Sequence, residues 1–210
     1  MPQIKTAEQI AEIRPLALVL SDLLSWSLAM VRPGITTAAI DAAIETRMRD
    51  LGVRGPCKGY HGFPTVTCIS VNDQVTHGIP DLTVLHEGDI VDIDIVIERH
   101  GFFADMSRTV AVGTASPDAA RLVRVTEECL AYGISAAKPG NTLGDIGHAI
   151  QNHAEKNGYS VVRDYCGHFI GVAMHEDPLV ANFGKKGKGL RLEPGMLFCI
   201  EPMINAGSYH

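Results

Sequence analysis

The sequence lacks the features that mark several large classes of protein. Basic residues are in the minority, 18 Lys and Arg against 24 Asp and Glu, so an extended basic surface for a nucleic-acid partner is not expected. No segment near residue 1 resembles an apolar export signal, and the most apolar stretch, 16–31, is too short to span a bilayer. The single basic run, 184–191, is interpreted as a solvated loop.

Cysteine is also scarce and is not arranged for cross-linking. The five cysteines are scattered, odd in number and without a CxxC pair, which favours reduced thiols over a disulfide framework. Together with the absence of export and membrane signals, this predicts a soluble cytoplasmic protein. At 210 residues and 46% hydrophobic residues the chain has enough apolar material for one sizeable core or two small halves.

What is present is a mixture of helix and strand patterns, typical of an α+β protein. Helices are predicted from residue 6 to about 31 with a kink or interruption at Pro15, and over about 36–52, 116–137 and 142–157. Strands are predicted over 65–71, 89–97, 102–112, 160–165 and 196–203.

The second half of the sequence repeats features of the first. "PGITTAAIDAAI" (33–44) and "PGNTLGDIGHAI" (139–150) have six identical positions at a displacement of 106 residues. Gly88 precedes Asp94 by six residues, as Gly195 precedes Glu201. We infer an internal duplication within one domain, 1–210, with halves of about 1–113 and 114–210 that share a sheet and each bring an acid to the seam.

The stretch "VDIDIVIERHGFFADMS" (91–107) should form a hairpin carrying Asp94 and Asp105. A two-residue turn at Arg99-His100 would place the two acids directly opposite each other, and one at His100-Gly101 would make them diagonal neighbours on one face. A three-residue turn would separate them to opposite faces. On one face near a core, two carboxylates do not both stay ionised unless a cation neutralises them, whereas an exposed edge hairpin would leave them in water.

The acid of the second half, Glu201, lies in the apolar segment "MLFCIEPM" and needs a partner if it is buried. His168, in "YCGHFIG", is the natural candidate, because an imidazole with carboxylates suits Mn(II), Fe(II), Co(II) or catalytic Zn(II). No cysteine stands at ligand spacing to these groups, so a closed structural zinc site is not expected. His77 and His175, in loops flanked by Gly or Pro, are candidates for acid/base and oxyanion-stabilising roles.

Four motifs in order carry a family resemblance: "YHGFPTVTCISVNDQVTHGIP" (60–80), "GDIVDIDIVIERHGFFADMSRT" (88–109), "YCGHFIGVAMHEDP" (165–178) and "FCIEPMINAG" (198–207). With them the chain resembles the type I methionine aminopeptidases of the pita-bread metallopeptidase superfamily. The resemblance implies an α+β pita-bread fold, in which two pseudo-symmetric helix/strand halves share a curved, antiparallel-rich sheet. It also implies removal of the N-terminal methionine from nascent proteins and peptides by metal-activated hydroxide.

The same resemblance implies roles for individual residues. The ligands of two divalent ions (Co, Mn, Fe(II) or Zn) would be Asp94, Asp105, His168 and Glu201, with Asp105 bridging. Glu201 would also accept a proton from water, His175 would polarise the scissile carbonyl, and His77 would hold or protonate the scissile nitrogen. The methionine side chain would be bound by Tyr60, His61, Phe63, Cys68 and Met174.

Three departures from the family pattern stand out. The family has a fifth ligand, a bridging Glu downstream of the Glu201 motif, so a C-terminally truncated form lacking the final strand and a weakened second metal site are expected. Phe169 stands where the family usually has Gly and could crowd the metal or substrate, and Met106 replaces a Thr whose hydrogen bonding could support the ligands.

A silent pita-bread binding module and a prolidase or Pro-specific aminopeptidase relative are the alternative hypotheses. The resemblance further implies nascent chains as partners, possible association with the ribosome, and a monomer.

Overall fold

The computed structural model describes residues 2–209 and confirms the α+β class. Its helices are α1 (Ala7–Leu28), α2 (Thr37–Asp50), α3 (Pro117–Ala136) and α4 (Leu143–Lys156), with a short 3-10 turn at Tyr60–Gly62. Its strands are β1 (Thr67–Val71), β2 (Ile90–Arg99), β3 (Phe102–Ala111), β4 (Ser160–Val161), β5 (Gly167–Phe169), β6 (Glu176–Val180) and β7 (Ile204–Asn205). Among the residues described, no helix is both long and apolar enough to cross a bilayer.

The first helix is not interrupted at Pro15 and ends earlier than predicted. Helix α1 runs without interruption through Pro15 and stops at Leu28, short of the expected residue 31. A proline inside a helix costs about 3 kcal/mol, but the inward face of α1 is buried over several turns, and that packing outweighs the local penalty. The buried leucines of this face are Leu16, Leu20, Leu23 and Leu24.

The chain forms two compact units, each with its own core. The first unit comprises Glu8–Ala119 and Gly171–Met174, and the second comprises Met1–Ala7, Ala120–Ile170 and His175–His210. In the first unit the antiparallel sheet β1-β2-β3 packs on α1 and α2 through a core that includes Ile40, Ile44, Ile69, Ile93 and Ile95. In the second unit the core includes Val125, Cys129, Ile146, Ile150 and Val161.

Helices α2 and α4, one in each unit, have the same design. Both have 14 residues and begin after a threonine, Thr36 or Thr142. The Ala39 N–H donates to Thr36 Oγ1 at 3.2 Å, while Thr142 forms a reciprocal capping box with Asp145. The two units therefore share a local construction at the spacing that the sequence repeat predicted.

The second unit has less regular strand than expected. Only β4 forms within 160–165, and 196–203 is not a regular strand. Instead, the Cys199 N–H donates to the His168 carbonyl at 2.8 Å and the Ile170 N–H to the Leu197 carbonyl at 3.2 Å. These two bonds and an isolated bridge between Phe169 and Phe198 join this segment to β5 without a regular ladder. A register irregularity between His168 and Phe169 lies in the neighbouring pairing of β5 with β6.

Candidate active site

The hairpin of the first unit selects one of the three turns considered. Asp94 pairs with Ser107 and Asp105 with Val96 across β2 and β3. The loop is His100-Gly101, whose φ angles of 56° and 81° are those of a tight two-residue hairpin turn. Asp94 and Asp105 are therefore diagonal neighbours on one face, and the arrangement that keeps them together is confirmed.

A third acid that the sequence analysis did not consider lies on the same face. Asp92 accepts hydrogen bonds from the Ser107 hydroxyl at 2.8 and 2.7 Å and from the Thr109 hydroxyl at 2.9 Å. Burial raises the pKa of the Asp92 carboxyl, the two hydroxyls oppose this shift, and the charge of Asp105 adds to it. The signal was available, because residues 92 and 94 share a face in any strand.

Two thiols lie close to these acids and remain protonated. Burial, with the charges of Asp94 and Asp105, raises the pKa of Cys57 to about 12. The same causes raise the pKa of Cys68 further, and Cys68 pairs with Asp94 across β1 and β2. A neutral, buried thiol is a small apolar group, which suits the pocket-lining role implied for Cys68.

His77 lies in a loop that packs directly on the sheet. Its φ of 56° is unusual for a residue other than glycine. The next residue, Gly78, allows this close approach, because a Cβ there would collide with the Ile69 carbonyl. Burial lowers the pKa of His77, against the opposing charge of Asp105, so its imidazole favours the neutral form.

The residues expected to bind the methionine side chain are all in the first unit. The rings of Tyr60 and His61 are edge-on at 4.3 Å, and Tyr60 is 42% exposed. Cys68 and Met174 are buried, and Phe63 is partly buried. The Phe103 N–H donates to the Gly171 carbonyl at 2.9 Å and so anchors the segment that carries Met174 to β3.

In the second unit His168 has a defined orientation. It is buried, and its Nδ1 lies 3.0 Å from the Phe169 carbonyl. A carbonyl only accepts, so Nδ1 carries the proton and Nε2 is the electron-pair donor. That Nε2 lies 3.4 Å from Glu201 Oε1. Two electron-pair donors facing each other at this distance suit a metal ion between them, and a backbone carbonyl orienting the imidazole is typical of metal-bound histidine.

A cysteine lies within the same group of donors, contrary to the expectation from spacing. The thiol of Cys199 is within 4.8 Å of the ligand atoms of His168 and Glu201. Cys199 reaches this group because β5 and 196–203 lie side by side, and Gly167 permits this, since a Cβ there would collide with the Cys199 carbonyl. That a closed structural zinc site is not expected stays a prediction. The buried Asn182 donates from Nδ2 to the Glu201 carbonyl at 2.6 Å and fixes the backbone of this segment.

His175 lies beside this group, immediately before β6. Its ring centroid is 4.3 Å from that of His168 with the rings edge-on, and its side chain is exposed. Phe169 is completely buried with its ring 5.2 Å from that of Phe198, so it contributes to the interior of the second unit. Met106 packs against the core of the first unit.

A family model and two similar proteins identify the family of this chain. The model for metallopeptidase family M24 matches residues 11–209. The chain belongs to metallopeptidase family M24. Methionine aminopeptidase A of Synechocystis sp. is 47% identical over 202 residues, covering 96% of the chain and 80% of the relative. Methionine aminopeptidase of Clostridium perfringens is 45% identical over 206 residues, covering 98% of the chain and 83% of the relative.

Solved structures of similar fold were compared with this chain. Methionine aminopeptidase from Rickettsia prowazekii superposes with a TM-score of 0.98 at 40% identity, covering 100% of the chain and 85% of that structure. The prolidase from Pyrococcus horikoshii, at 22% identity and a TM-score of 0.82 over 95% of the chain and 55% of its own, shows the fold alone. The expected pita-bread fold and the expectation of a methionyl aminopeptidase are confirmed. This M24 chain is a metal-dependent hydrolase that removes N-terminal methionine.

Proposed function

We propose that this aminopeptidase holds its metal through Asp94, Asp105, His168 and Glu201. The orientation of His168 carries the proposal: its Nδ1–H faces the Phe169 carbonyl at 3.0 Å, which turns Nε2 toward Glu201 Oε1 at 3.4 Å. The two acids of the first unit share a face of the β2-β3 hairpin and provide the carboxylates that a divalent transition metal prefers. Oxygen donors with one imidazole fit Co, Mn, Fe(II) or catalytic Zn, and two ions are proposed.

When bound, the ions supply Lewis-acid activation of water and of the peptide carbonyl. Glu201 accepts a proton from the attacking water, since its carboxylate lies beside the imidazole that shares the site. His175, exposed at the edge of this group, donates a hydrogen bond to the scissile carbonyl oxygen and stabilises the charge that develops there. His77, kept neutral by burial, interacts with the scissile nitrogen.

We assign the methionine side chain of the substrate to a pocket lined by residues of the first unit. The lining consists of Tyr60, His61, Phe63, Cys68 and Met174. The buried Met174 and the protonated Cys68 provide a polarizable, uncharged surface. Such a surface suits a thioether side chain, because sulfur and apolar groups contact it without desolvating a charge.

The setting of the reaction is also part of the proposal. Nascent chains and peptides with N-terminal methionine are the substrates, and the enzyme works in the cytoplasm as a monomer. Association with the ribosome belongs to the same proposal. A single domain, 1–210, built by internal duplication remains the proposed organisation.

The test combines metal titration with peptide cleavage. Metal-free protein is titrated calorimetrically with Mn(II), Co(II) and Zn(II), and each loaded form is assayed on a Met-Gly-type peptide and on the same peptide beginning with Leu. We expect metal-dependent release of Met and negligible release of Leu. A protein that binds metal but releases neither residue would support a silent binding module instead, and preferential cleavage before proline would support the prolidase alternative.

A further inference from the structure

We propose that Lys5 is a positioning residue for this reaction, because its buried ammonium group holds Glu176 and thereby places the neighbouring His175. The inference rests on the proposed function, which assigns His175 to the scissile carbonyl. It adds to that function a contribution from the segment that precedes α1.

Lys5 is buried to a degree that lysine rarely reaches without a partner. The residue is 3% exposed, and its side chain is 0% exposed. Its Nζ donates to Glu176 Oε2 at 2.6 Å and to Gln3 Oε1 at 3.4 Å. Desolvating an ammonium and a carboxylate costs several kcal/mol per ion, so this pair is a poor device for stability alone. The ion pair has a clearer geometric effect, because it holds the Glu176 carboxylate in one position.

The backbone of the same segment is also held in place. The Lys5 N–H donates to the Gly195 carbonyl at 2.8 Å. Gly195 has a φ of 91°, and a Cβ at this position would press against Ile4. The segment around Lys5 therefore packs directly on the turn that leads into 196–203. This contact restrains the Lys5 backbone and so the position from which its side chain extends to Glu176.

Glu176 transmits this restraint to the histidines. It is the first residue of β6, it directly follows His175, and it pairs with Phe169 of β5. The His175 ring lies 4.3 Å from the ring of His168, the imidazole that faces Glu201. Lys5 holds the Glu176 carboxylate and Phe169 is the strand partner of Glu176, so the backbone that carries the exposed His175 is fixed. Loss of the ion pair frees this end of β6 and displaces His175 from His168.

The experiment compares Lys5→Met with Lys5→Arg, and with Arg124→Met as the matched control. Arg124 pairs with Glu128 at 2.6 Å on the surface of α3, and the histidine that Glu128 contacts is His153, so this substitution breaks an ion pair that does not involve Glu176 or His175. For Lys5→Met we expect kcat to fall about ten- to a hundredfold, the size of effect that a misplaced group produces. KM should change less than kcat, and metal stoichiometry and affinity should stay at wild-type values. Lys5→Arg should recover most of kcat, because a guanidinium also pairs with a carboxylate.

A second readout does not depend on activity. Imidazole signals in nitrogen–proton spectra of the metal-free protein are assigned to His175 with a His175→Gln variant. These signals should move in Lys5→Met and stay in place in Arg124→Met. If wild-type protein releases no methionine with any metal, the proposed function fails, whereas the imidazole signals still decide the positioning role.

Three results would overturn the proposal. One is a folded Lys5→Met protein with wild-type kcat and unmoved His175 signals. Another is a loss of kcat that is matched by an equal loss of bound metal, which would indicate general damage to the site. If Lys5→Met does not fold, Glu176→Gln is measured in the same way, since it removes the charge and keeps an acceptor for Lys5. Unmoved His175 signals in that variant would overturn the role as well.

Discussion

The two units place their acids on different kinds of backbone. In the first unit Asp94 and Asp105 stand on strands of ten residues each, paired in unbroken register. In the second unit Glu201 lies in a segment without regular strand, next to the irregularity between His168 and Phe169. Yet the glycines six residues before Asp94 and Glu201 have nearly the same backbone angle, with φ of 92° at Gly88 and 91° at Gly195.

This difference indicates what each kind of backbone would contribute to the proposed metal site. A regular strand repeats every two residues, so it collects like groups on one face, here the carboxylates of Asp92, Asp94 and Asp105. An irregular pairing brings different side chains to one point, here an imidazole, a thiol and a carboxylate. In the proposed site the regular half supplies the negative charge of the carboxylates, and the irregular half supplies the His168 imidazole, whose orientation is defined.

The largest expected effect comes from removing one acid of the regular half. Asp105→Asn keeps the shape of the side chain but removes a charge from the face shared with Asp94. We expect release of Met from a Met-Gly-type peptide to fall at least about a thousandfold, the equivalent of ~4 kcal/mol of barrier. Calorimetric titration should show the loss of metal binding.

Asp118→Asn is the control for this change, because it removes an acid from the first turn of α3. Wild-type metal titration in Asp105→Asn would show that the acid face does not bind the ions. The comparison is sharpened by Glu201→Gln: an equal loss of bound metal in the two variants means that the acids of both units serve the same ions.

A smaller effect is expected from the residue that supports the irregular half. Asn182 is completely buried and donates to the Glu201 carbonyl at 2.6 Å. Asn182→Ala leaves this carbonyl without its donor, and loss of such a supporting partner typically lowers metal affinity about ten- to a hundredfold. Titration with Mn(II) measures the change.

The matched control for Asn182 is Asn141→Ala. Asn141 makes the same kind of bond in the same unit, from Nδ2 to the Ala136 carbonyl at 2.9 Å, after the end of α3. It should reduce stability and leave metal affinity unchanged. Equal affinities in the two variants would mean that the irregular segment holds Glu201 without help from Asn182.

The sequence predicted the regular parts of the molecule well, because periodicity and turn chemistry determine them. Hydrophobic periodicity predicted α2 and α4 to within two residues at each end, and the alternation of 91–107 predicted a hairpin that carries both acids. The alternation did not decide among three possible hairpin turns. The observed turn at His100-Gly101 depends on two adjacent residues with positive φ. The continuation of α1 through Pro15 could not be predicted, since tertiary packing decides it.

The irregular half was predicted less well, for a physical reason. The pattern of 196–203 indicated a strand, but this segment meets β5 only through separate hydrogen bonds and one bridge between Phe169 and Phe198. The proximity of Cys199 to His168 depends on that pairing and on Gly167, and spacing along the chain contains neither. The donor from Asn182 could not have been predicted from spacing either, because it depends on the tertiary approach of two loops.

The smallest expected effect tests a difference between helices α2 and α4, and it appears as a pH dependence. Asp41 of α2 accepts from both the N–H and the hydroxyl of Thr67, at 2.9 and 2.7 Å, whereas the corresponding position of α4 is Gly147. Burial raises the pKa of Asp41, so the folded state holds this proton more tightly than the unfolded state, and the free energy of unfolding falls as pH rises through the raised pKa. For Asp81 the pH dependence has the opposite sign, because hydrogen bonds from Thr83 lower its pKa, and its contribution to the free energy of unfolding is lost as pH falls.

The measurement is urea unfolding of the metal-free protein from pH 3 to pH 6. The difference in free energy of unfolding between wild type and Asp41→Asn should shrink as pH rises, and the difference between wild type and Asp81→Asn should grow. Parallel profiles for the two variants would mean that the Thr67 hydrogen bonds, and not burial, dominate the carboxyl of Asp41.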